Sequence, residues 1–248
     1  MRLLLVNPNT TAAVTGTVMR AAAAVAAAHT ELVGVTGGFG PAVIGSRAEE
    51  ALAQHSVLQL VADHAAGCDA VVLAVSLDTG LWACRELLDI PVIGMTEAGL
   101  LMGCTVGTRL GIVTFEHRMQ AFYRDLAERH GMASRLAGVA TLPVPAERIF
   151  DDPQGVHGEI VAACNRLVEQ HDAQAVLLAG AVLAGLQPAL QADVPVPLLD
   201  GVACAVLLAE ARATLRLPKA RAGSLSPTGG RRVHGVSPAL TRLFAGQP

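Results

Sequence analysis

Two short polar segments in the first half of the chain could bind or protonate a small molecule. NPNT occupies positions 7–10 and SLDTG occupies positions 76–80, each directly after an apolar run. Amides and hydroxyls of this kind can hold a carboxylate or imide oxygen, and a carboxyl such as that of Asp78 can act as an acid or base. Helix capping by Asn9 or Thr10 explains the first segment equally well. Both interpretations stay open.

A third segment, TFEHR at positions 114–118, places an acid, a possible base and a cation close together. Glu116 and His117 are therefore candidates for acid–base chemistry, although charges at a helix start are often only solvated. Asp200 stands directly before Gly201, where it either caps a helix, the favoured interpretation, or faces a cleft. The segment GGFGP at positions 37–41 lacks the spacing of a dinucleotide or phosphate loop.

The elements that position these segments are parallel strands separated by helices. Short runs rich in Val, Ile and Leu alternate with longer amphipathic stretches, which is typical of an α/β protein with parallel sheets. Strands are predicted at residues 3–6, 31–35, 70–75, 92–94, 110–113, 138–142, 175–178 and 196–199.

The two sets of four strands match each other in order. Residues 69–81 align with residues 174–186 without a gap, and weaker matches relate 90–93 to 194–197 and 2–7 to 109–114. We therefore predict two copies of one α/β unit with a ligand cleft between them, because ligands in open α/β sheets sit at the carboxyl ends of strands. The predicted first lobe comprises residues 1–98 with about 207–248, and the second comprises 99–206.

The composition favours a compact soluble protein. Of 248 residues, 52% are hydrophobic and 16% charged, the formal net charge is −3, and no basic stretch is interleaved with aromatics. Nucleic-acid binding is therefore not expected. The longest apolar stretch is too short for a membrane span, and no leader pattern precedes residue 3, so we expect a cytoplasmic protein without a membrane partner.

The cysteines and the lysine argue against a cofactor or metal. The five cysteines are scattered without a CxxC pair, so buried structural thiols are expected. Lys219 is the only lysine, and it lies in a Pro- and Gly-containing segment that is improbable for a pyridoxal phosphate aldimine. We predict a protein with no cofactor and no bound metal.

Several motifs taken together resemble the aspartate/glutamate/hydantoin racemase superfamily, most closely its hydantoin and allantoin racemase branch. They are NPNT at 7–10, Gly40-Pro41 with Ile44, DTGL at 78–81, and Pro195-Val196 with Asp200-Gly201. The resemblance covers nearly the whole chain. It implies two pseudo-symmetric flavodoxin-like (Rossmann-like) halves, cofactor independence, a small-molecule substrate and a homo-oligomer.

The resemblance also implies two catalytic cysteines, one at the end of an equivalent strand in each half. Carried over by motif, these positions fall on Val75 and Gly180, and the internal repeat pairs the same two residues. Neither is cysteine, and Ser76 is the only hydroxyl beside them. Because a serine hydroxyl is a poor base towards a carbon-bound proton, simple racemisation is not expected.

The leading hypothesis is a cofactor-independent enzyme on the racemase scaffold. Its substrate is a small carboxylate, hydantoin or related carbonyl compound, converted through an enolate-like intermediate by isomerase or lyase chemistry, for example decarboxylation. The alternatives are a non-catalytic binding protein on the same scaffold and a genuine racemase with non-cysteine bases. The catalytic candidates are Ser76, Asp78, Glu116 and His117. The substrate-binding candidates are Asn7, Asn9, Thr10, Pro41, Val75, Thr79, Thr114, Phe115, Gly180 and Ala181.

Overall fold

A computed structural model describes residues 1–246, which form two four-stranded parallel sheets. The first sheet contains β1 (Arg2–Asn7), β2 (Glu31–Thr36), β3 (Ala70–Leu73) and β4 (Val92–Gly94), in the order β2-β1-β3-β4. The second contains β5 (Leu110–Phe115), β6 (Leu136–Leu142), β7 (Ala175–Leu178) and β8 (Leu198–Asp200), in the order β6-β5-β7-β8. The predicted α/β class with two similar parallel sheets is confirmed.

Helices connect the strands. They are α1 (Ala12–Ala23), α2 (Arg47–His64), α3 (Leu81–Leu87), α4 (Met95–Gly103), α5 (Met119–Arg129), α6 (Ala146–Asp151), α7 (His157–His171), α8 (Gln187–Leu190), α9 (Gly201–Leu215) and α10 (Pro238–Phe244). Within residues 1–246, no helix is long and apolar enough to cross a membrane.

The two sheets share one register. Val6 in β1 pairs with Val35 and Leu73, while Val113 in β5 pairs with Ala140 and Leu178. In both sheets the first strand of the half is central, and apart from Arg2 at the start of β1 it is buried, because helices cover both of its faces. The repeat seen in the sequence therefore corresponds to a repeat in the backbone.

Each half contributes one helix to the sheet of the other half. Helix α4 follows β4 but also packs on β7 and β8, and α9 follows β8 but also packs on β3 and β4. The two helices contact each other, and one apolar cluster contains Leu73 of the first sheet together with Ile112 of the second. The halves are thus joined by a continuous core.

The C-terminal segment returns to the first half. Helix α10 packs on α2 and buries Leu240, and the Lys219 ammonium donates a hydrogen bond to the Glu86 carbonyl at 2.6 Å. Lys219 is therefore engaged in holding the segment after α9 against the end of α3.

Candidate functional site

The strand ends of both halves meet in one region, which we call the strand-end region and define as residues 7–11, 41–46, 75–80, 114–118 and 180–185. The loop 41–46 bridges the halves there. Its Ile44 lies in one apolar cluster with Val75 and Tyr123, and its Val43 packs on the cluster that contains Phe115. Segments far apart in sequence are thereby brought together.

The asparagines of NPNT mainly hold their own loop. The Asn7 amide donates to Asn9 Oδ1 at 2.9 Å and to Thr15 Oγ1 at 3.0 Å, and Asn9 Oδ1 also accepts from the Thr11 backbone N–H at 2.9 Å. Helix α1 begins at Ala12 with Thr11 as its N-cap, so capping by Asn9 or Thr10 is not observed. The exposed Thr10 donates its backbone N–H to the Pro41 carbonyl, which ties this loop to the bridging loop.

A serine–tyrosine pair joins the two halves at the end of β3. The Tyr123 hydroxyl, on α5 of the second half, donates to Ser76 Oγ at 2.6 Å. Tyr123 is 0% exposed, and burial raises the pKa of its phenol to about 12. The phenol therefore remains a protonated donor at neutral pH, and the Ser76 hydroxyl keeps its own proton for another acceptor.

Tyr123 is a site residue that the sequence did not predict. The one sequence feature that involves Tyr123 is the helical spacing of the residues that α5 buries. These are Met119, Tyr123, Leu126 and Ala127. That stripe is typical of core packing, and nothing local indicates that the hydroxyl reaches Ser76, 47 residues earlier in the chain.

Asp78 is engaged by three neighbours, so the structure does not leave it as a free acid or base. Its Oδ1 accepts from Thr96 N–H at 3.0 Å, and its Oδ2 accepts from Glu97 N–H at 2.8 Å and lies 3.0 Å from His130 Nε2. Burial raises the pKa of this carboxyl, and the hydrogen bond with His130 opposes the rise. Asp78 satisfies the start of α4, whose N-cap Gly94 has no side chain to do so.

The acid–base candidates after β5 differ in position. Glu116 is half-buried with a positive φ of 55°, and its carboxylate faces the bridging loop, 3.6 Å from where a Cβ on Gly45 would lie. His117 is exposed. Of these two, only Glu116 is turned towards the opposite half.

The two positions expected for cysteines are occupied by apolar groups. Val75 is buried in the cluster with Ile44 and Tyr123. Gly180 has φ +140°, and a Cβ there would lie 2.7 Å from Cε1 of Phe115. The Phe115 ring thus fills the space that a side chain at position 180 would need, and the flanking Ala181 and Val182 add no polar side chain.

Two buried hydroxyls in this region have no hydrogen-bond partner among residues 1–246, those of Thr79 and Thr114. Both residues are almost completely buried. The Thr114 hydroxyl lies close enough to Tyr123 to lower the pKa of that phenol, without reaching hydrogen-bond geometry. A buried hydroxyl without a partner costs about 1–3 kcal/mol, so each of the two hydroxyls has an unused hydrogen-bonding capacity in this structure.

The cysteines lie in structural positions. Burial raises the pKa of Cys84, Cys164 and Cys204 to about 12 and also raises the pKa of Cys68. Cys104 is half-buried at the end of α4, with its Sγ 3.8 Å from the sulfur of Met132. The expectation of buried thiols is confirmed for four of the five, and none of these four is a thiolate at neutral pH.

Asp200 caps α9, as predicted. Its Oδ1 accepts from the N–H groups of Val202 and Ala203, and its Oδ2 accepts from Gly185 N–H at 2.5 Å. Through the last bond it also fixes the loop after β7. No group of three metal-ligating side chains occurs within the part of the chain that the structure describes.

Cavities flank the strand-end region at equivalent places in the two halves. One of about 410 Å³ lies between α1, α6 and the segment 182–188, and its walls are mostly apolar. The other, of about 240 Å³, lies beside the segment 77–83 and is lined by Trp82, Leu126 and His130. The duplication therefore includes the cavities beside the strand ends, although different side chains line the two cavities.

Comparison with known proteins assigns the family. The model of the Asp/Glu/Hydantoin racemase family matches residues 3–209. The chain belongs to this family. A hydantoin racemase from Pseudomonas sp. (strain NS671) is 33% identical over 211 residues, which cover 85% of each chain.

Solved structures of the family agree with this fold. The allantoin racemase from Pseudomonas fluorescens superposes with a TM-score of 0.92 at 30% identity, over 95% of this chain and 100% of that chain. The allantoin racemase from Klebsiella pneumoniae gives a TM-score of 0.91 at 32% identity, over 97% and 98% respectively. The resemblance to the hydantoin and allantoin branch is confirmed.

Proposed function

We propose that this chain is a cofactor-independent enzyme of the racemase family that protonates an enolate-like intermediate from one face. Its substrate is a small carboxylate, a hydantoin or a related carbonyl compound, as the named relatives suggest. The overall reaction is of isomerase or lyase type rather than two-base racemisation. We also propose that the protein is cytoplasmic and forms a homo-oligomer. Cell fractionation tests the location, and the molecular mass of the pure protein in solution tests the assembly.

The 2.6 Å contact between Tyr123 and Ser76 carries this proposal. It places one oriented hydroxyl, backed by a protonated phenol, at the strand end of the first half. The equivalent strand end of the second half presents Gly180 with Ala181, and neither has a group that can give or take a proton. Racemisation needs a proton donor or acceptor on both faces of the carbon, whereas one-sided protonation needs only one.

The chemistry follows from this asymmetry. When a malonate-type substrate loses CO₂, the electron pair of the broken C–C bond becomes an enolate, and hydroxyl and N–H donors stabilise its oxygen. The Ser76 hydroxyl then gives its proton to the carbon. The Tyr123 hydroxyl stabilises the negative charge that develops on Ser76 Oγ, and water restores the serine proton after the product leaves.

The substrate-binding candidates are of two kinds, hydrogen-bond donors and residues that form the apolar walls of the site. We assign the partnerless hydroxyls of Thr79 and Thr114 as donors to a substrate oxygen, together with Asn9 and Thr10 at the adjoining loop. Apolar contact would come from Pro41, Val75, Phe115, Gly180 and Ala181. Asn7 is assigned to shaping the loop, because Asn9 and Thr15 already engage its amide nitrogen.

A second candidate is a binding protein that retains the site without chemistry. The observation that favours it is the combination of partnerless hydroxyls with apolar groups at both expected cysteine positions. Such a protein would be stabilised by a ligand, with a melting temperature that rises with ligand concentration, but would produce no turnover.

The test is incubation of the pure protein in D₂O with hydantoins, amino acids, arylmalonates and maleate, followed by NMR. A deuterated product from one of these substrates, formed as a single enantiomer where its carbon is chiral, supports the proposal. Ligand-dependent stabilisation without product favours the binding protein. Exchange with loss of optical activity would indicate a racemase, for which Glu116 is the candidate base.

A further inference from the structure

A buried pair of titratable groups, Asp78 and His130, connects the two halves a short distance from Ser76. The side chains are 1% and 4% exposed, and His130 Nε2 lies 3.0 Å from Asp78 Oδ2. Asp78 belongs to the loop after β3, and His130 is the C-cap residue of α5. The proposed protonation step uses neither group directly.

Helix α5 therefore contacts the loop after β3 at two points. Tyr123 and His130 are seven residues apart, which is close to two helical turns and places them on one face of the helix. Their partners, Ser76 and Asp78, are two residues apart in the loop. Two contacts fix both the position and the rotation of a helix relative to a loop, whereas a single contact leaves it free to pivot.

The Asp78 end of this arrangement is anchored in the first half. Its carboxylate accepts two backbone N–H groups from the start of α4, and the Thr96 hydroxyl donates to the Ser76 carbonyl at 2.6 Å. The positive φ of Asp78, 50°, shows that the loop makes a sharp turn here. Moving Asp78 would consequently move Ser76.

Charged groups surround the imidazole on several sides. Glu97 Oε1 lies 4.0 Å from His130 Nδ1, and Arg85 holds Glu97 by two bonds of 2.9 and 2.6 Å. The Trp82 ring centre is 6.1 Å from that of His130. Glu50 and Arg129 line the adjoining 240 Å³ cavity. The imidazole is thus held between two carboxylates and an indole.

We propose that His130 is a positioning residue, which holds α5 against Asp78 so that the Tyr123 hydroxyl stays on Ser76 Oγ. The inference rests on the proposed function only in taking Ser76 as the reacting group. The geometry that it describes can be measured without turnover.

Tyr123 supplies the readout because it is the only tyrosine in the chain. The protein is jumped from pH 7 to pH 11 and tyrosinate absorbance at 295 nm is read within milliseconds, before unfolding. A phenol whose pKa is about 12 gives little signal. In His130→Ala the loosened contact admits water and lowers the pKa towards its ordinary value of about 10, so the signal should rise by up to about tenfold.

Four further variants complete the design, one of them held in reserve. His130→Gln, which can still donate to Asp78, should keep the wild-type signal, and so should His64→Ala at an exposed histidine near the end of α2. Tyr123→Phe gives the blank. If His130→Ala does not fold, His130→Leu replaces it, because leucine fills the space without a hydrogen bond. An unchanged 295 nm signal in the folded alanine or leucine variant would overturn the proposal.

Activity then separates this inference from the proposed function. On a substrate that the wild type converts, His130→Ala should lower kcat by up to about tenfold, the loss expected for Tyr123→Phe, with KM nearly unchanged, and His130→Gln should restore most of it. A raised tyrosinate signal in His130→Ala, with no turnover by the wild type on any substrate, would support the positioning role and remove the proposed reaction.

Discussion

Ser76 and Tyr123 make different contributions to one hydroxyl pair. In the proposed reaction, Ser76 supplies the proton that reaches the substrate, and Tyr123, which donates to Ser76 Oγ, orients that hydroxyl and stabilises charge on its oxygen. Removing a group that acts directly should therefore cost more than removing its support.

We predict that Ser76→Ala lowers kcat by about 10²–10³-fold, within the range of rate enhancement that a positioned general acid supplies. Tyr123→Phe should lower kcat less, by about tenfold, because Ser76 remains. Steady-state kinetics on the substrate found by NMR measure both. Equal activity of Ser76→Ala and wild type would remove Ser76 from the mechanism.

Gly180 is the second residue where a small change should have a clear effect. Alanine at this position would be strained at φ +140° and would meet the Phe115 ring at 2.7 Å. We expect Gly180→Ala to lower the free energy of unfolding by about 1–3 kcal/mol. Urea denaturation measures this, with Gly38→Ala as a control because a Cβ at Gly38 meets no atom within 4 Å.

The sequence shows which residues stand at the two expected cysteine positions. It does not show which side chains of the two halves contact each other. The prediction that Val75 and Gly180 stand at the two expected cysteine positions, with Ser76 beside the first, follows from aligned motifs alone. The partners of Ser76 and Asp78 lie on α5 of the other half, and no local pattern encodes a hydrogen bond across 47 or 52 residues. Asp78 was consequently predicted as an acid or base, whereas its carboxylate is occupied by helix α4 and His130.

At the scale of elements, helix α2 positions the bridging loop through a variant of the capping box, in which Glu49 binds the N–H of the residue before the N-cap Ser46. Ser46 Oγ accepts from Glu49 N–H at 3.2 Å, and Glu49 Oε2 accepts from Gly45 N–H at 2.9 Å. This reciprocal pair fixes the angle at which the loop 41–46 enters the helix. The bridging loop is thereby held at a defined position between the halves.

Removing the Glu49 carboxylate from this capping arrangement should lower the free energy of unfolding by an amount that depends on pH. The backbone hydrogen bond from Gly45 holds the pKa of Glu49 below its ordinary value. A lowered folded-state pKa stabilises the protein at pH values above the unfolded pKa, and that stabilisation is lost as pH falls through the folded pKa. We expect Glu49→Gln to cost about 0.5–1 kcal/mol at pH 7 and less at pH 3.

Urea denaturation at both pH values tests this, with Glu50→Gln as the matched control. Glu50 is in the same helical turn, and its carboxylate forms no hydrogen bond or salt bridge within residues 1–246. An equal effect of the two substitutions at pH 7 would argue against the capping box.

Strand positions were well predicted, while their ends depended on turns. The prediction extended the third strand to Val75, but β3 ends at Leu73. Asp78 N–H bonds to the Val75 carbonyl at 2.9 Å, and Asp78 adopts a positive φ, so residues 75–78 turn away from the sheet. Apolar side chains continue through Val75 because this turn is also buried, and the hydrophobic pattern alone could not separate the two.

For the molecule as a whole, helices α4 and α9 each pack on the sheet of the opposite half, which we call the exchange of α4 and α9. This exchange determines whether the two halves unfold together. Because each sheet is covered by a helix that follows the last strand of the other, neither half has a complete core without its partner. The duplication was evident from sequence. The exchange was not, because helix packing across halves leaves no periodic signature.

We therefore predict one cooperative unfolding transition. Trp82 is the only tryptophan and lies in the first half, and Tyr123 lies in the second, so their spectra report on each half separately. Urea curves from tryptophan fluorescence, tyrosine difference absorbance and far-UV circular dichroism should coincide. Two separated midpoints would show that the halves unfold independently.

One-sided protonation at Ser76 is tested most directly by a reaction in D₂O that reports isotope and stereochemistry together. A prochiral arylmalonate and an enantiopure 5-substituted hydantoin are incubated separately with the protein, and products are followed by NMR and chiral chromatography. The proposed function predicts a deuterated monoacid of one configuration from the malonate and retained optical purity of the hydantoin. Deuterium entry into the hydantoin with loss of its optical purity, faster than in a protein-free control, would contradict it, because that outcome requires the protein to transfer protons at both faces.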